Sequence, residues 1–274
     1  MQVNISKREV IEQIPLLLPD LEVQEKIVGV LKTIDDKIET NEKINRNLEQ
    51  MVQTIFKSWF VDFEPFGREQ PSTWNIGKAE DFFDIAIGKT PPRKESEWFT
   101  ANPQDITWVS ISDMGSCGMF ISDSSEYLTP ESVERFNVKV IPSGSVLLSF
   151  KLTVGRVAIT DGELTTNEAI AHFKQANNDT VEYLYCYLKN FNYQSLGNTS
   201  SIATAVNSKT IKAMPFIMPD KKTISEFHAA TTPLFEQIRL SLSENVRLVA
   251  LRDALLPRLM SGELSVTDLL DAKG

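Results

Sequence analysis

Residues 27–59 read IVGVLKTIDDKIETNEKINRNLEQMVQTIFKSW, and they set the architecture of the whole chain. The seam positions, spaced alternately by four and three residues, are Ile27, Leu31, Ile34, Ile38, Asn41, Asn45, Leu48, Val52, Ile55 and Trp59. A period of 3.5 residues held over this length is typical of a coiled coil. The stretch therefore predicts a long helix that needs a second helix to cover its seam.

An internal repeat supplies the second helix. The segment IEQIPLLLPD (11–20) recurs 200 residues later as IKAMPFIMPD (211–220), and a helical pattern follows each copy. The second seam, from Phe227 to Leu259, is less apolar than the first. Proline interrupts helices, so Pro233 is expected to kink this one and Pro257 to kink or end it.

Both seams carry polar residues near their middle. These are Asn41 and Asn45 in the first helix, and Ser241 and Asn245 in the second. Antiparallel packing would bring all four into one layer, where buried Asn lowers stability but fixes register and partner. The matching positions favour paired helices over the alternative of two exposed helices with polar breaks in ordinary apolar stripes.

The region between the helices has the mixture of short strand patterns and a helical pattern that is typical of an α+β domain. A helix is predicted over residues 180–189. Strands, separated by Pro and Gly turns, are predicted over residues 84–87, 106–111, 138–141, 145–150, 156–159 and 169–173. The predicted fold class is thus α+β: one domain of mixed strands and short helices, flanked by two long helices packed as an antiparallel coiled coil.

Composition limits the classes of function. The chain has 274 residues, and no apolar run is long enough to cross a membrane. Cys117 and Cys186 make neither a disulfide framework nor a zinc motif, so a reduced, cytoplasmic setting is expected. Lys and Arg number 28 against 37 Asp and Glu, a net charge of −9. Any nucleic-acid contact therefore needs a local basic face and a partner that adds positive charge.

Motifs for catalysis are missing. There is no glycine-rich phosphate loop, and the two histidines, His172 and His228, lie far apart in sequence. The one Pro-Pro pair, in the stretch TPPR (90–93), does not match the loop with which a methyltransferase holds a flipped adenine. We therefore expect no enzyme activity, no metal site and no cofactor bound by this chain itself.

Four polar loops could contact DNA: GKTPPRK (88–94), SFKLTVGR (149–156), TTNE (165–168) and GNTSS (197–201). Arg and Lys pair with guanine edges or phosphates, Asn with adenine, and Thr with the thymine methyl group. Equally, such loops could be ordinary solvated turns. The candidate DNA-binding residues are Lys89, Thr90, Arg93, Lys94, Lys151, Thr153, Arg156, Thr166, Asn167, Ser200 and Ser201.

In these loops and helices, the chain resembles the DNA-specificity (S) subunit of type I restriction-modification enzymes. The stretches that carry the resemblance, in order, are IPLLLPDLEVQEKIVGVLKTIDDKI (14–38), IGKTPP (87–92), WVSISDM (108–114), TVGRVAI (153–159), TTNEAIA (165–171) and ALLPRLMSGEL (254–264). The resemblance implies a non-catalytic protein whose target-recognition domain reads half of a split double-stranded DNA site. It also implies partners: methyltransferase subunits that carry S-adenosylmethionine and grip the helices, and an ATP-driven restriction and translocation subunit.

Mapped onto the chain, the resemblance predicts one recognition domain where the family usually has two. The predicted parts are a tail of a recognition domain (1–20), the first long helix (21–66), the recognition domain (67–220), the second long helix (221–262) and a C-terminal tail (263–274). The chain then corresponds to a half-subunit or to the C-terminal half of a longer one, and residues 3–18 complete this or a second copy's domain. One recognition domain implies a homodimer that reads a palindromic, bipartite site.

Two alternatives remain open. The chain could be a coiled-coil scaffold whose α+β domain binds protein and does not read DNA. It could also be an anti-restriction half-subunit that poisons a specificity subunit, although its charges are too mixed for a DNA mimic. An enzyme is the least favoured interpretation, because the motifs are missing.

Overall fold

The computed structural model describes residues 12–13, 18–174, 178–196 and 206–271. The helices are α1 Leu21–Phe60, α2 Ala79–Phe82, α3 Asp113–Ser116, α4 Pro130–Arg135, α5 Val181–Asn190, α6 Ser208–Lys212, α7 Lys221–Met260 and α8 Val266–Asp271. Short 3-10 helices cover Glu64–Phe66, Ser96–Trp98, Asn178–Thr180 and Tyr193–Leu196. The strands are β1 Asn75–Lys78, β2 Asp84–Ile87, β3 Phe99–Thr100, β4 Ile106–Val109, β5 Phe120–Ile121, β6 Tyr127–Leu128, β7 Val146–Ser149, β8 Val157–Thr160, β9 Thr165–Thr166, β10 Ile170–Lys174 and β11 Pro215–Met218.

The chain divides into two units. The helical unit runs up to Ile44 and resumes at Ser243, and the mixed unit is Asn45–Leu242. Helices α1 and α7, each of 40 residues, contribute to both. None of the described helices is both long enough and apolar enough to cross a membrane.

Within the helical unit, α1 and α7 run antiparallel. Ile27 near the start of α1 is buried with Leu259 near the end of α7 and with Val266 of α8. Further along, Arg252 donates to Asp35 over 3.0 Å. The positions of the contacts rise on one helix as they fall on the other, which confirms the antiparallel pairing that the two seams predict.

Helix α7 continues through both of its prolines. It is unbroken at Pro233 and ends at Met260, three residues after Pro257. Pro233 is exposed, while Thr231 and Phe235 on either side of it are buried. Packing of the apolar face therefore maintains the helix where a single hydrogen bond is lost, because tertiary contacts supply most helical stability.

The polar seam residues differ in how well they are satisfied. The amide nitrogen of buried Asn41 donates to Asn245 Oδ1 over 2.8 Å and to Glu244 Oε2 over 2.7 Å. Ser241 is buried and accepts a bond from Gln237 of its own helix. Asn45 has both side-chain polar atoms buried with no partner among the described residues.

The mixed unit is built on a five-stranded sheet of order β2-β10-β7-β8-β5. Its inner strands are covered on both faces, so their sequences are mostly apolar and do not alternate between apolar and polar residues. One face packs on α5 and on the C-terminal part of α1 through Val146, Leu148 and Phe173. The opposite face, through Leu147, Ala158 and Ile170, packs on a smaller cluster. A four-stranded sheet (β3-β6-β4-β9) and the β1–β11 pair complete the unit.

The predicted strand over residues 138–141 is wrong. Only Ile141 forms a bridge, to Leu164, and the segment is otherwise a loop. Two of its apolar residues are instead buried in small clusters, Val138 in one and Ile141 in the other, and Val140 is exposed. The strands β1, β3, β5, β6, β9 and β11 were not predicted. Strands β3, β5, β6 and β9 have only two residues each, too few to show a period, and β1 and β11 contain Gly77 and Pro215, residue types that are depleted in strands.

Gly88 lets the segment after β2 pack closely against residues 166–167. Its N–H donates to Ile170 O over 3.1 Å. A Cβ atom at this position would lie 2.1 Å from both Asn167 O and Thr166 Oγ1, far inside contact distance. Glycine is required here for space, since only a residue without a side chain lets the two segments touch.

We expect opposite effects on stability when the two seam asparagines are replaced by leucine. Asn41→Leu should lower the unfolding free energy by about 1–3 kcal/mol, because it removes the donor to Asn245 Oδ1. Glu244 would keep its ion pair with Lys37 at 3.2 Å. Asn45→Leu should raise it by about 1–2 kcal/mol, because it removes unpaired buried polar atoms. Calorimetric Tm values check both, and shifts of the same sign would contradict the assignment.

Replacement of Gly88 by alanine should destabilise the mixed unit by about 2–4 kcal/mol, because backbone atoms of residues 166–167 would have to move. Gly29 is the matched control. It lies in α1, and a Cβ atom added there would have nothing within 4 Å, so Gly29→Ala should raise stability by about 0.5–1 kcal/mol. Thermal unfolding of both variants is the measurement, and a Gly88→Ala protein as stable as the parent would refute the steric argument.

Candidate nucleic-acid interface

Three of the four predicted polar loops meet at one end of the five-stranded sheet. There β2 ends beside the start of β10, with Ile87 opposite Ala171, and β7 ends beside it, with Ser149 opposite Ile170. Strand β8 begins at the same end, since Val157 pairs with Leu148. Residues 88–94, 150–156 and 165–169 are therefore neighbours, and we call these three segments the loop face.

The first segment of the loop face presents lysines on a tethered turn. Lys89 N donates to Thr166 O over 2.9 Å, and its exposed ammonium group donates to Phe136 O over 2.5 Å. The Thr90 hydroxyl donates to Glu168. Lys94 is exposed and makes no hydrogen bond or ion pair with any residue that the structure describes.

Arg93 is held in one orientation by three neighbours. Its guanidinium lies over the Phe99 ring at 4.1 Å and the Trp108 ring at 4.5 Å. Its two terminal nitrogens donate to both carboxylate oxygens of Glu126 over 2.7 and 2.8 Å. The hydrogen bonds to Glu126 raise the pKa of Arg93, and those from Arg93 lower the pKa of Glu126. Such bidentate pairing leaves other N–H groups of the guanidinium available.

The second segment is anchored by Ser149. This buried hydroxyl donates to Thr153 O over 2.6 Å and accepts from Arg156 N over 3.1 Å. Lys151 and Thr153 are left exposed at the tip of the loop. Arg156 turns inward, half-buried, and donates to Ile111 O over 2.5 Å. It therefore supports the loop from behind.

The third segment differs from the expectation at Thr166. The Thr166 side chain is fully buried, with its hydroxyl 2.5 Å from Nε2 of His172, and burial lowers the pKa of His172 to about 3. Asn167 is half-buried, and its Oδ1 accepts from Ala169 N over 3.0 Å. Both side chains hold the turn in shape, and Thr166 presents no surface to solvent. The predicted residues Ser200 and Ser201 lie outside the described residues.

Two carboxylates lie among the cations of the loop face, and the sequence alone indicated a role for neither. Burial would raise the pKa of Glu168, but the bond from Thr90 and the charges of Lys151 and Arg93 outweigh it, so that this pKa is lowered. Glu168 sits within a polar motif that could have signalled it. Glu126 had no signal, since it reaches Arg93 from 33 residues further along the chain.

The described residues hold no group of three or more His, Cys, Asp and Glu side chains placed to bind a metal ion. The loop face offers exposed cations on tethered turns, with Glu126 bonded to Arg93 and Glu168 bonded to Thr90. Chemically, this arrangement can bind an anionic backbone and donate hydrogen bonds to base edges.

Comparisons with known proteins give a consistent result. The chain is 27% identical to the specificity subunit of the type I restriction enzyme HindI from Haemophilus influenzae, with 93% of this chain and 70% of the relative aligned. It is 28% identical to the MjaIX specificity subunit from Methanocaldococcus jannaschii, over 96% of this chain and 63% of the relative. Among solved structures, the type I restriction-modification S subunit from M. genitalium matches with a TM-score of 0.59 at 15% identity, over 88% of this chain and 61% of that one.

The chain therefore spans less than two thirds of the MjaIX subunit and of the solved S subunit. The structural match supports the fold. A family model matches residues 71–237, which is more than half of the chain and includes the whole loop face. The chain belongs to the family of type I restriction modification DNA specificity domains.

Proposed function

We propose that the chain is a non-catalytic specificity subunit that reads one half of a bipartite DNA target for a type I restriction-modification system. The observation that carries the proposal is the loop face. Its exposed cations are Lys89, Arg93, Lys94 and Lys151. They are concentrated at one end of a sheet in a chain whose net charge is −9. A local basic face of this kind supports phosphate contact despite the acidic total.

The cations of the loop face differ in freedom, and so in their proposed roles. Lys94 and Lys151 are exposed and suited to phosphates, which tolerate a flexible point charge. Arg93 is oriented by Glu126 and two aromatic rings, and a pre-oriented guanidinium is suited to the fixed geometry of a guanine edge. Glu126 and Glu168 can accept hydrogen bonds from base amino groups and repel a misplaced phosphate.

The helical unit is the proposed docking site for the partner subunits. It exposes several large apolar side chains on α1 and α7, namely Val28, Val246, Leu251 and Leu256. Apolar side chains exposed along a long helix pair indicate a protein-binding surface. We propose that a methyltransferase subunit binds there and supplies S-adenosylmethionine, and that a restriction and translocation subunit supplies ATP hydrolysis. The chain itself would need no cofactor.

Selection of DNA by the full chain tests the proposal. The purified chain, alone and mixed with a type I methyltransferase subunit, is incubated with a library of duplexes carrying a random central region. We expect enrichment of a short motif. Because two copies related by a two-fold axis present identical loop faces, we expect a palindrome with two half-sites. An asymmetric motif would contradict the homodimer, and no enrichment in either arm would favour the protein-binding scaffold.

We expect the salt dependence of DNA binding to report the phosphate contacts. Lys94→Ala and Lys151→Ala should each lower the slope of log K against log salt by about 1, with little change in sequence preference. Arg93→Ala should instead relax the preference at one position of the half-site. Fluorescence anisotropy at several salt concentrations gives the slopes.

Lys174→Ala is the matched control for these variants, because Lys174 is exposed at the opposite end of β10 from the loop face. It should leave the slope unchanged. Equal effects from Lys174 and Lys94 would show that binding follows overall charge and does not use the loop face.

A further inference from the structure

The second segment of the loop face, residues 150–156, carries an exposed apolar side chain at its tip. Leu152 is 83% exposed, more than any other large apolar side chain among the described residues. Its neighbours in sequence, Lys151 and Thr153, are also exposed. Nothing in the described packing accounts for a leucine at this position, because the side chain contributes almost no burial.

The backbone at Leu152 is strained. Its φ of +62° lies in the left-handed region, which branched and bulky residues rarely adopt. Thr153 N donates to Lys151 O over 2.7 Å, and this closes a three-residue turn with Leu152 at its centre. A residue other than glycine in this left-handed conformation costs free energy, so the turn persists only where the surrounding contacts enforce it.

The surroundings do enforce this turn, through Ser149. Its hydroxyl binds Thr153 O, and its carbonyl accepts from Gly155 N over 3.0 Å. Both ends of the loop also continue directly into the buried strands β7 and β8. Leu152 is thus held outward on a rigid base, so little conformational entropy remains to be lost when it contacts a partner.

The chemistry around Leu152 favours nucleic acid over protein as that partner. Protein-binding surfaces are patches of several apolar residues, whereas Leu152 stands between a lysine and a threonine. Lys94 and Arg93 lie on the neighbouring segment of the same loop face. A single apolar projection surrounded by cations matches the side chains that enter between base pairs while cations hold the flanking phosphates.

We propose that Leu152 is a wedge that inserts between two adjacent base pairs of bound DNA and partly unstacks them, with Lys151 on the adjacent phosphate. The proposal rests on the proposed function, since it requires that the loop face bind duplex DNA. Its consequence is that part of the sequence preference comes from how easily one base step unstacks, in addition to hydrogen bonds with base edges.

The fluorescence of 2-aminopurine tests the wedge, because this base brightens when it loses its stacking partners. The probe is a duplex enriched in the library selection, with 2-aminopurine placed in turn at each position of a half-site. Only the full chain is added, since base flipping by a methyltransferase would brighten the probe as well. At saturation, judged by anisotropy, the parent chain should brighten one base step at least roughly twofold.

Leu152→Gly should abolish this signal at saturating concentration while its affinity for the duplex falls roughly tenfold or less. Glycine adopts the left-handed conformation without strain, so the Tm of this variant should be unchanged or higher, and loss of signal then does not reflect unfolding. Ile76→Ala is the control. Ile76 is 72% exposed on β1, outside the loop face, and its replacement should keep the signal.

Two results would overturn the wedge alone: saturated binding by the parent chain with no brightened position, or brightening that persists in Leu152→Gly. If the chain binds the duplex only together with the methyltransferase subunit, the parent and Leu152→Gly are compared in that complex, where a flipped base brightens with both chains and the wedge adds a second brightened step only with the parent. A parent chain that binds none of the selected duplexes, alone or with the methyltransferase subunit, would overturn the proposed function, and the wedge with it.

Discussion

The structure of the mixed unit depends on the packing of Phe60, the last residue of α1. Its ring lies 4.7 Å from that of Tyr183 on α5 and 5.0 Å from that of Phe227 on α7. Trp74 closes the cluster at 5.5 Å. Aromatic pairs at these distances and tilts combine large apolar burial with a preferred geometry. Because α5 covers one face of the five-stranded sheet, this contact sets how that sheet lies on the helices within the unit.

Buried polar groups at the end of that sheet hold the segments of the loop face in place. Ser149 and Thr166 are both fully buried at the ends of strands. The Ser149 hydroxyl binds Thr153 O in the loop that follows it, and the Thr166 hydroxyl binds His172. Gly88 lets the first and third segments touch. The loop face is thus stiff because its supports are internal. Stiffness matters for readout, since discrimination between bases requires donors in fixed positions.

Charge on the loop face is balanced in a way that suits a selective reader. Glu126 binds Arg93 bidentately, and Glu168 accepts from Thr90. These carboxylates reduce the net attraction for any phosphate backbone while they orient the groups that could meet a base edge. A protein that must discriminate gains from weak non-specific binding, because specificity is a difference between affinities. The net charge of −9 is consistent with this balance, with partner subunits supplying further phosphate contacts in the proposed assembly.

Elements whose signal is local and periodic could be predicted from the amino-acid sequence. The spacing of Ile27 to Trp59 predicted α1, and the run at residues 84–87 predicted β2 to the residue, because burial of one helix face or one strand leaves its period in the chain. Which loops meet became known from the folded chain. The order β2-β10-β7-β8 joins segments that lie far apart in sequence. In the four-stranded sheet, Thr166 on β9 is buried, and Glu126, directly before β6, reaches Arg93. No local pattern encodes such neighbours, since strand order and side-chain burial arise from contacts between distant parts of the chain.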